Sequence, residues 1–130
     1  MIPTLRGIDH VHVYVTDRDA AAEWYQSVLG FKPVEKFLIW ATKEGPLTLA
    51  DADGSIHLAL FESDAGPDSN IAFGTSGEEF VAWKSHLEAS GLTLRIADHA
   101  LAWSMYFHDP DGNMHEITTC DHAYVTQHLG

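Results

Sequence analysis

The feature that most restricts what this chain can fold into is an internal repeat. Two glycines that close helical stretches, Gly30 and Gly91, stand 61 residues apart; the strands that precede the helices align at an offset of 60 and the last strands at 59. Self-similarity at a fixed period implies one structural unit used twice. Each half reads as strand, helix, then three strands, so the fold class is α+β with tandem βαβββ modules, about 6–62 and about 69–120, followed by a short C-terminal tail.

Within the first half, GIDHVHVYVT alternates. Val11, Val13 and Val15 share one face, and Ile8, His10, His12 and Tyr14 share the other, the period-2 pattern of a strand with one apolar side. Asp17 is a good N-cap, and Ala21, Trp24, Tyr25 and Val28 recur at helical spacing up to Gly30. Extended segments are expected near PVEKFLIWAT, PLTLAD and SIHLALFES, punctuated by Gly45-Pro46 and Asp53-Gly54. The second half opens with SNIAFGT. Ser76 and Glu79 then form a capping box, and Phe80, Trp83 and Leu87 mark the inner face of a helix ended by Gly91. LTLRIAD, WSMYFHD and NMHEITT complete the module as strands.

Residues 103–119, WSMYFHDPDGNMHEITT, read as a hairpin. Asp109-Pro110-Asp111-Gly112 combines the fixed φ of proline, an Asx side chain and a glycine tolerant of positive φ. On the returning strand Met114, Glu116 and Thr118 share one face and His115, Ile117 and Thr119 the other. A glutamate on an antiparallel strand is ordinarily a solvated residue. Its equivalents in the repeat give it another reading.

The repeat pairs His10 with Asn70 on the opening strands and His57 with Glu116 on the closing ones. All four side chains can ligate a metal. Should the halves pack about a pseudo-twofold axis, these four would converge in one cleft.

Composition bounds the rest. A chain of 130 residues, 45% hydrophobic, suits a single domain. A formal charge of −12 with only seven Lys and Arg argues against a nucleic-acid partner. The sequence holds no apolar run of membrane-spanning length, and MIPTLRGIDH lacks the layout of a signal peptide, so the expected setting is the cytoplasm, without a membrane partner. The lone Cys120 reads as a free thiol, and nine histidines supply ample nitrogen ligands and proton carriers.

Taken together, GIDHVHVYVTDRDAAAEWYQSVLGF, NIAFGTSGEEFVAW and WSMYFHDPDGNMHEI resemble the vicinal oxygen chelate superfamily, the group of glyoxalases, bleomycin-resistance proteins and extradiol dioxygenases. The resemblance implies paired modules forming a cupped, mostly antiparallel mixed sheet with helices on its outer face, commonly in a homodimer. It also implies a divalent metal ion, of the Fe, Zn, Mn or Ni kind, that binds a small-molecule substrate with neighbouring oxygens. The family's ligand positions fall on His10, Asn70 and Glu116, with a fourth near His57. Asn70 departs from the histidine usual there, and an amide oxygen is a weaker ligand for transition metals, which shifts the set toward His10, His57 and Glu116.

On this resemblance the expected function is lyase or isomerase chemistry of the glyoxalase type, with Glu116, His57 and Tyr106 as catalytic residues and His12, Tyr14, His99 and Trp103 in contact with substrate. Trp40, Trp103, Tyr106 and Phe107 would line an aromatic cup. Tyr14 stands where glutathione-dependent members tend to carry arginine, which leaves the substrate open. Tyr106 and His99 resemble the acid and base of ring-cleaving dioxygenases, the first alternative. A metal-free protein that sequesters a cationic drug is the second. Fosfomycin-type resistance is the least favoured reading, because ITTCDHAYVTQHLG after Glu116 offers no cation for a phosphonate.

Overall fold

The computed structural model describes residues 1–129. The chain divides into two compact units, Met1–Gly66 and Pro67–Gly130, so the boundary falls between the repeats.

The first unit runs β1 (Val11–Val15), α1 (Arg18–Trp24) prolonged by a π-helical turn (Tyr25–Leu29), β2 (Lys32–Pro33), a 3-10 helix (Glu35–Trp40), β3 (Leu47–Ala50) and β4 (His57–Glu62). Its sheet has the order β1-β4-β3-β2. β1 and β4 run parallel, and the other two pairings are antiparallel. Parallel neighbours need a crossover, which α1 begins. Asp17 starts that helix as expected, its Oδ1 accepting from the amides of Asp19 at 3.0 Å and Ala20 at 3.1 Å. Gly30 ends it at φ 78°, a conformation that glycine adopts without strain. The alternating valines sort as their period implies: Val13 and Val15 are buried with Leu49, Leu58 and Leu60, alongside Ala21, Tyr25 and Val28.

One segment differs. The pattern of residues 35–40 predicts extended chain, yet they form the 3-10 helix, with Val34 N–H donating to Thr48 O and Phe37 N–H turning back to Val34 O. Leu38, Ile39 and Trp40 of the apolar run FLIW lie exposed and are not buried on a sheet face. At the three-residue turn of a 3-10 helix, Phe37 and Trp40 instead stack, ring centroids 4.5 Å apart.

The second unit repeats the design: β5 (Asn70–Gly74), α2 (Gly77–Ala89), β6 (Arg95–Asp98), β7 (Trp103–His108) and β8 (Met114–Thr119), in the sheet order β5-β8-β7-β6. β5 and β8 are the parallel pair. Ser76 Oγ accepts from Glu79 N–H at 3.1 Å, while Phe80 and Leu87 are fully buried. Trp83 is only half-buried. The expected tail is in fact a third helix, α3 (His122–His128), which packs on α2 and buries Val125. A single inward valine per two turns is too faint a periodic signal to mark a helix of seven residues.

The 109–112 turn forms as its residues imply, with Gly112 N–H donating to Asp109 O at 3.0 Å and Gly112 at φ 89°. Asp109 Oδ1 accepts from the amides of Asp111 and Asn113. Buried Asn113 carries the turn into the fold: its Oδ1 accepts from the amides of Asp68 and Ser69, both at 3.1 Å, which fixes the chain just before β5.

The alternation on β8 is clean. His115, Ile117 and Thr119 are buried, and Met114, Glu116 and Thr118 are half-exposed. His115 lies between Phe73 and Phe107, ring centroids 5.9 and 5.8 Å away. Burial lowers its pKa from 6.5 to about 4, with Asp109 pulling the other way. The folded state therefore holds this imidazole neutral while the unfolded chain protonates it near pH 6.5, so stability is full above that value and falls as pH drops toward about 4. The contribution is at most about 3 kcal/mol. In denaturation series from pH 7 to 4, His115→Gln is expected to flatten this part of the acid loss; equal slopes in parent and variant would contradict the assignment.

Candidate functional site

In each unit, one sheet face packs on helix and the other carries polar groups. In the first unit the polar face holds His12 and Tyr14 from β1, His57, Ala59 and Phe61 from β4, and Thr48 from β3, as the ladder register requires. A cleft of about 430 Å³ lies on it, between the 3-10 helix (Lys36, Phe37, Trp40) and His10, His57, Thr48 and Ala59. Phe37 leans toward His57 with ring centroids 6.5 Å apart. The chain beyond the 3-10 helix is fastened by Arg18, whose guanidinium donates to the carbonyls of Thr42, at 2.7 Å, and of Gly45. Gly45 is required there, because any side chain would meet the carbonyl oxygen of Trp40.

His10 sits at the edge of β1. Its Nδ1 donates to Asp9 Oδ1 at 2.8 Å, and its Nε2 lies 3.1 Å from His12 Nε2. A carboxylate only accepts, so Nδ1 carries the hydrogen and the lone pair of the neutral ring is on Nε2. That is how a ligating histidine is oriented. The hydrogen bond from His10 holds the Asp9 carboxyl below its ordinary range, and the charge of Arg6 adds a little to this. His12 rests against Phe61 at 4.7 Å, near Tyr14 at 6.5 Å.

In the second unit the polar face holds Arg95, Tyr106, Glu116 and Ala72 in one cross-strand row, with Ser104 and Thr118 in the next. Ser104 Oγ donates to Glu116 Oε2 at 2.7 Å, a short bond of the charge-assisted kind. The Tyr106 hydroxyl is 3.0 Å from His99 Nε2, and the Arg95 guanidinium lies 4.1 Å above the Tyr106 ring. Asn70 is exposed at the start of β5, opposite Met114.

The structure thus brings His10 and His57 to the first unit's cleft, with His12 against His10, and joins Glu116, Tyr106 and His99 to one face of the second. It does not put Trp103 there. Trp103 pairs with Thr119 on the helix-facing side, donates from Nε1 to Thr126 Oγ1 at 3.0 Å and stacks on His122, so its contacts tie β7 to α3. Phe107 is likewise in the core, 1% exposed. Trp40 does line a cleft.

The ladders also revise the pairing of His57 with Glu116. His12 stands opposite Ala59, and Ala72 stands opposite Glu116. With His10 matched to Asn70, the equivalent of Glu116 is therefore Ala59, and His57 matches Met114. Aligning strands across connections of different length kept the correct face and slipped the register by two. Within each unit, no three His, Cys, Asp or Glu side chains among the described residues enclose a common point suited to an ion.

Several residues of these faces carry no mark in the sequence pattern that nominates the others. Ser104 was detectable, being two residues from Tyr106 on the same strand and thus on the same face. Thr48 was accessible to the same reasoning. Asp9, Lys36, Phe37 and Arg95 gain their roles from the 3-10 helix, the ladder and the chain path, none of which a local pattern declares.

The family model described as Glyoxalase/Bleomycin resistance protein/Dioxygenase superfamily matches residues 7–117. The chain belongs to that superfamily. Among solved structures, an integron cassette protein from the mobile metagenome of the Halifax Harbour sewage outfall is similar at 22% identity, with TM-score 0.75 and coverage of 88% of this chain and 99% of that one. A domain titled glyoxylase/bleomycin resistance protein/dioxygenase from Frankia sp. is similar at 19% identity, with TM-score 0.70 and coverage of 89% and 93%. The fosfomycin resistance protein FosX of Listeria monocytogenes is similar at 17% identity, with TM-score 0.67 and coverage of 88% and 90%, in a structure complexed with Mn(II) and 1S,2S-dihydroxypropylphosphonic acid. At these identities the superfamily fold is what is shared. No helix among the described residues is long and apolar enough to cross a membrane.

The Arg18 anchor is open to test. Arg18→Ala should cost about 1.5–3 kcal/mol by chemical denaturation, the range for hydrogen bonds to a charged group, and speed amide exchange across residues 41–46. Unchanged exchange in that segment would mean that the cleft wall stands without the anchor.

Proposed function

We propose that this superfamily member is a divalent-metal-dependent enzyme of the glyoxalase type, catalysing lyase or isomerase chemistry on a small substrate with neighbouring oxygens. The observation that carries the reading is the environment of Glu116. A carboxylate on a half-exposed strand face would ordinarily be free to move, yet here the Ser104 hydroxyl holds Oε2 at 2.7 Å, directly across the ladder from Tyr106.

The donors suit the metal. His10 presents Nε2 with its tautomer set by Asp9, and Glu116 presents a carboxylate oriented by Ser104; imidazole and carboxylate serve Zn, Fe, Mn and Ni alike. His10 and Glu116 are the proposed ligands, and Asn70 the weaker candidate. His57, with no ladder equivalence to Glu116, is assigned to the cleft wall as a proton carrier. When bound, the ion supplies Lewis acidity to a pair of substrate oxygens. The chain's own part is proton movement: Glu116 accepts a proton at its carboxylate, and the Tyr106 hydroxyl, hydrogen-bonded to His99, gives or takes one in turn.

Protein purified without a histidine tag is expected to hold about one divalent ion per chain, and His10→Ala and Glu116→Ala to lose most of it. Ser104→Ala should weaken the metal by about 10–100-fold, as loss of a ligand's hydrogen-bond partner does. For the chemistry, α-hydroxycarbonyl and dicarbonyl compounds incubated in D2O should exchange the hydrogen next to the carbonyl, and Glu116→Gln should abolish the exchange. A parent that neither contains nor takes up metal would overturn the reading in favour of a drug-binding protein.

The Tyr106–His99 contact favours one second reading, an extradiol-type dioxygenase in which that pair handles the proton of a catechol. Fe(II)-loaded protein given catechols without oxygen, then exposed to it, tests this. A ring-cleavage product lost in Tyr106→Phe supports the dioxygenase; absence of product across a broad catechol panel excludes it.

A further inference from the structure

We propose that His10 and His12 bind one divalent cation together as a chelating pair, with Asp9 setting the ligating tautomer of His10. The role is distinct from the substrate contact expected of His12, and it deepens the proposed function, resting on the premise that the chain binds a divalent metal.

Side chains two apart on a strand point the same way, and their Cα atoms are about 6.5 Å apart, so they normally rise side by side. These two do not. The ring centroids are 5.0 Å apart with the planes within 18° of each other, while the two Nε2 atoms approach to 3.1 Å. The nitrogens are nearer to one another than the ring centres are, so both rings aim their Nε2 edge inward. Two imidazole nitrogens that share an ion at about 2.0–2.1 Å each lie about 3 Å apart, which is the spacing observed. One hydrogen lies between the two rings, donated by His12 to the His10 lone pair, because Asp9 already takes the other hydrogen of His10. With His12 in its Nδ1–H tautomer, both Nε2 lone pairs would be offered to a divalent ion, which would supply the positive charge between the rings.

The surroundings support the pair. Asp9 places a carboxylate behind His10, the outer partner that raises the basicity of a ligating imidazole and fixes its orientation. Phe61 backs the His12 ring at 4.7 Å, and the small Ala59 stands opposite His12 in the ladder. His10 lines the first unit's cleft, so positions on the ion beyond the two nitrogens are left for water or substrate oxygens.

The test uses the full chain without a histidine tag, with Cu(II) at less than one equivalent for electron paramagnetic resonance and Zn(II) for titration calorimetry. The parent should show two imidazole nitrogens on Cu(II). His12→Ala and His12→Gln, both at an exposed position, should fold normally by circular dichroism, show one nitrogen and bind Zn(II) at least tenfold more weakly. His57→Ala should keep two nitrogens. A count of two, or an unchanged Zn(II) affinity, in both His12 variants overturns this inference and leaves the proposed function standing. A parent that binds neither ion overturns both.

Discussion

Everything functional in this chain depends on the parallel pairing of the first and last strands of each module. β1 lies beside β4 and β5 beside β8, although about 45 residues separate the partners in sequence. Because side chains opposite each other in a ladder share a face, this pairing alone puts His12 next to Ala59, and Glu116 next to Ala72 and, through β7, across from Tyr106. The helix that makes the crossover covers the apolar face and leaves the other to polar side chains. A slip of one residue would turn His12 and Glu116 into the core and expose Val13 and His115.

The two modules use that frame differently. In the first, the 3-10 helix folds Phe37 and Trp40 over the polar face and Arg18 fastens the segment after that helix, producing a cleft with an aromatic wall and a histidine floor. The second has a tight turn in place of that covering segment, and its polar face instead carries connected groups: Ser104 to Glu116, and Tyr106 to His99 with Arg95 above the ring. One module carries a lined cleft and the other a set of hydrogen-bonded polar side chains. This division arises from the connections, since both sheets have the same strand order.

Much of this was legible in the chain. The alternation around Val13 and around Glu116 sorted residues to the correct faces, Asp17 and Ser76 marked helix starts, and the 109–112 turn forms with the hydrogen bonds its residues imply. The failures have a common cause. Residues 35–40, α3 and the packing of Trp103 depend on contacts from distant parts of the same unit, which no local period encodes. The two-residue slip between His57 and Glu116 arose where connection lengths differ, since counting residues cannot report how much chain a loop consumes.

The sequence by itself determined the repeated βαβββ order and the inward and outward faces of each strand. These are local properties, set by propensity and period. Tertiary structure alone decided which side chains touch: that Asp9 orients His10, that His10 and His12 converge on 3.1 Å, that Ser104 holds Glu116, and that Trp103 turns away. The physical reason is that a ladder register and a rotamer are fixed only when distant strands pair and pack, so a pattern can nominate a ligand while only the fold can give it a partner.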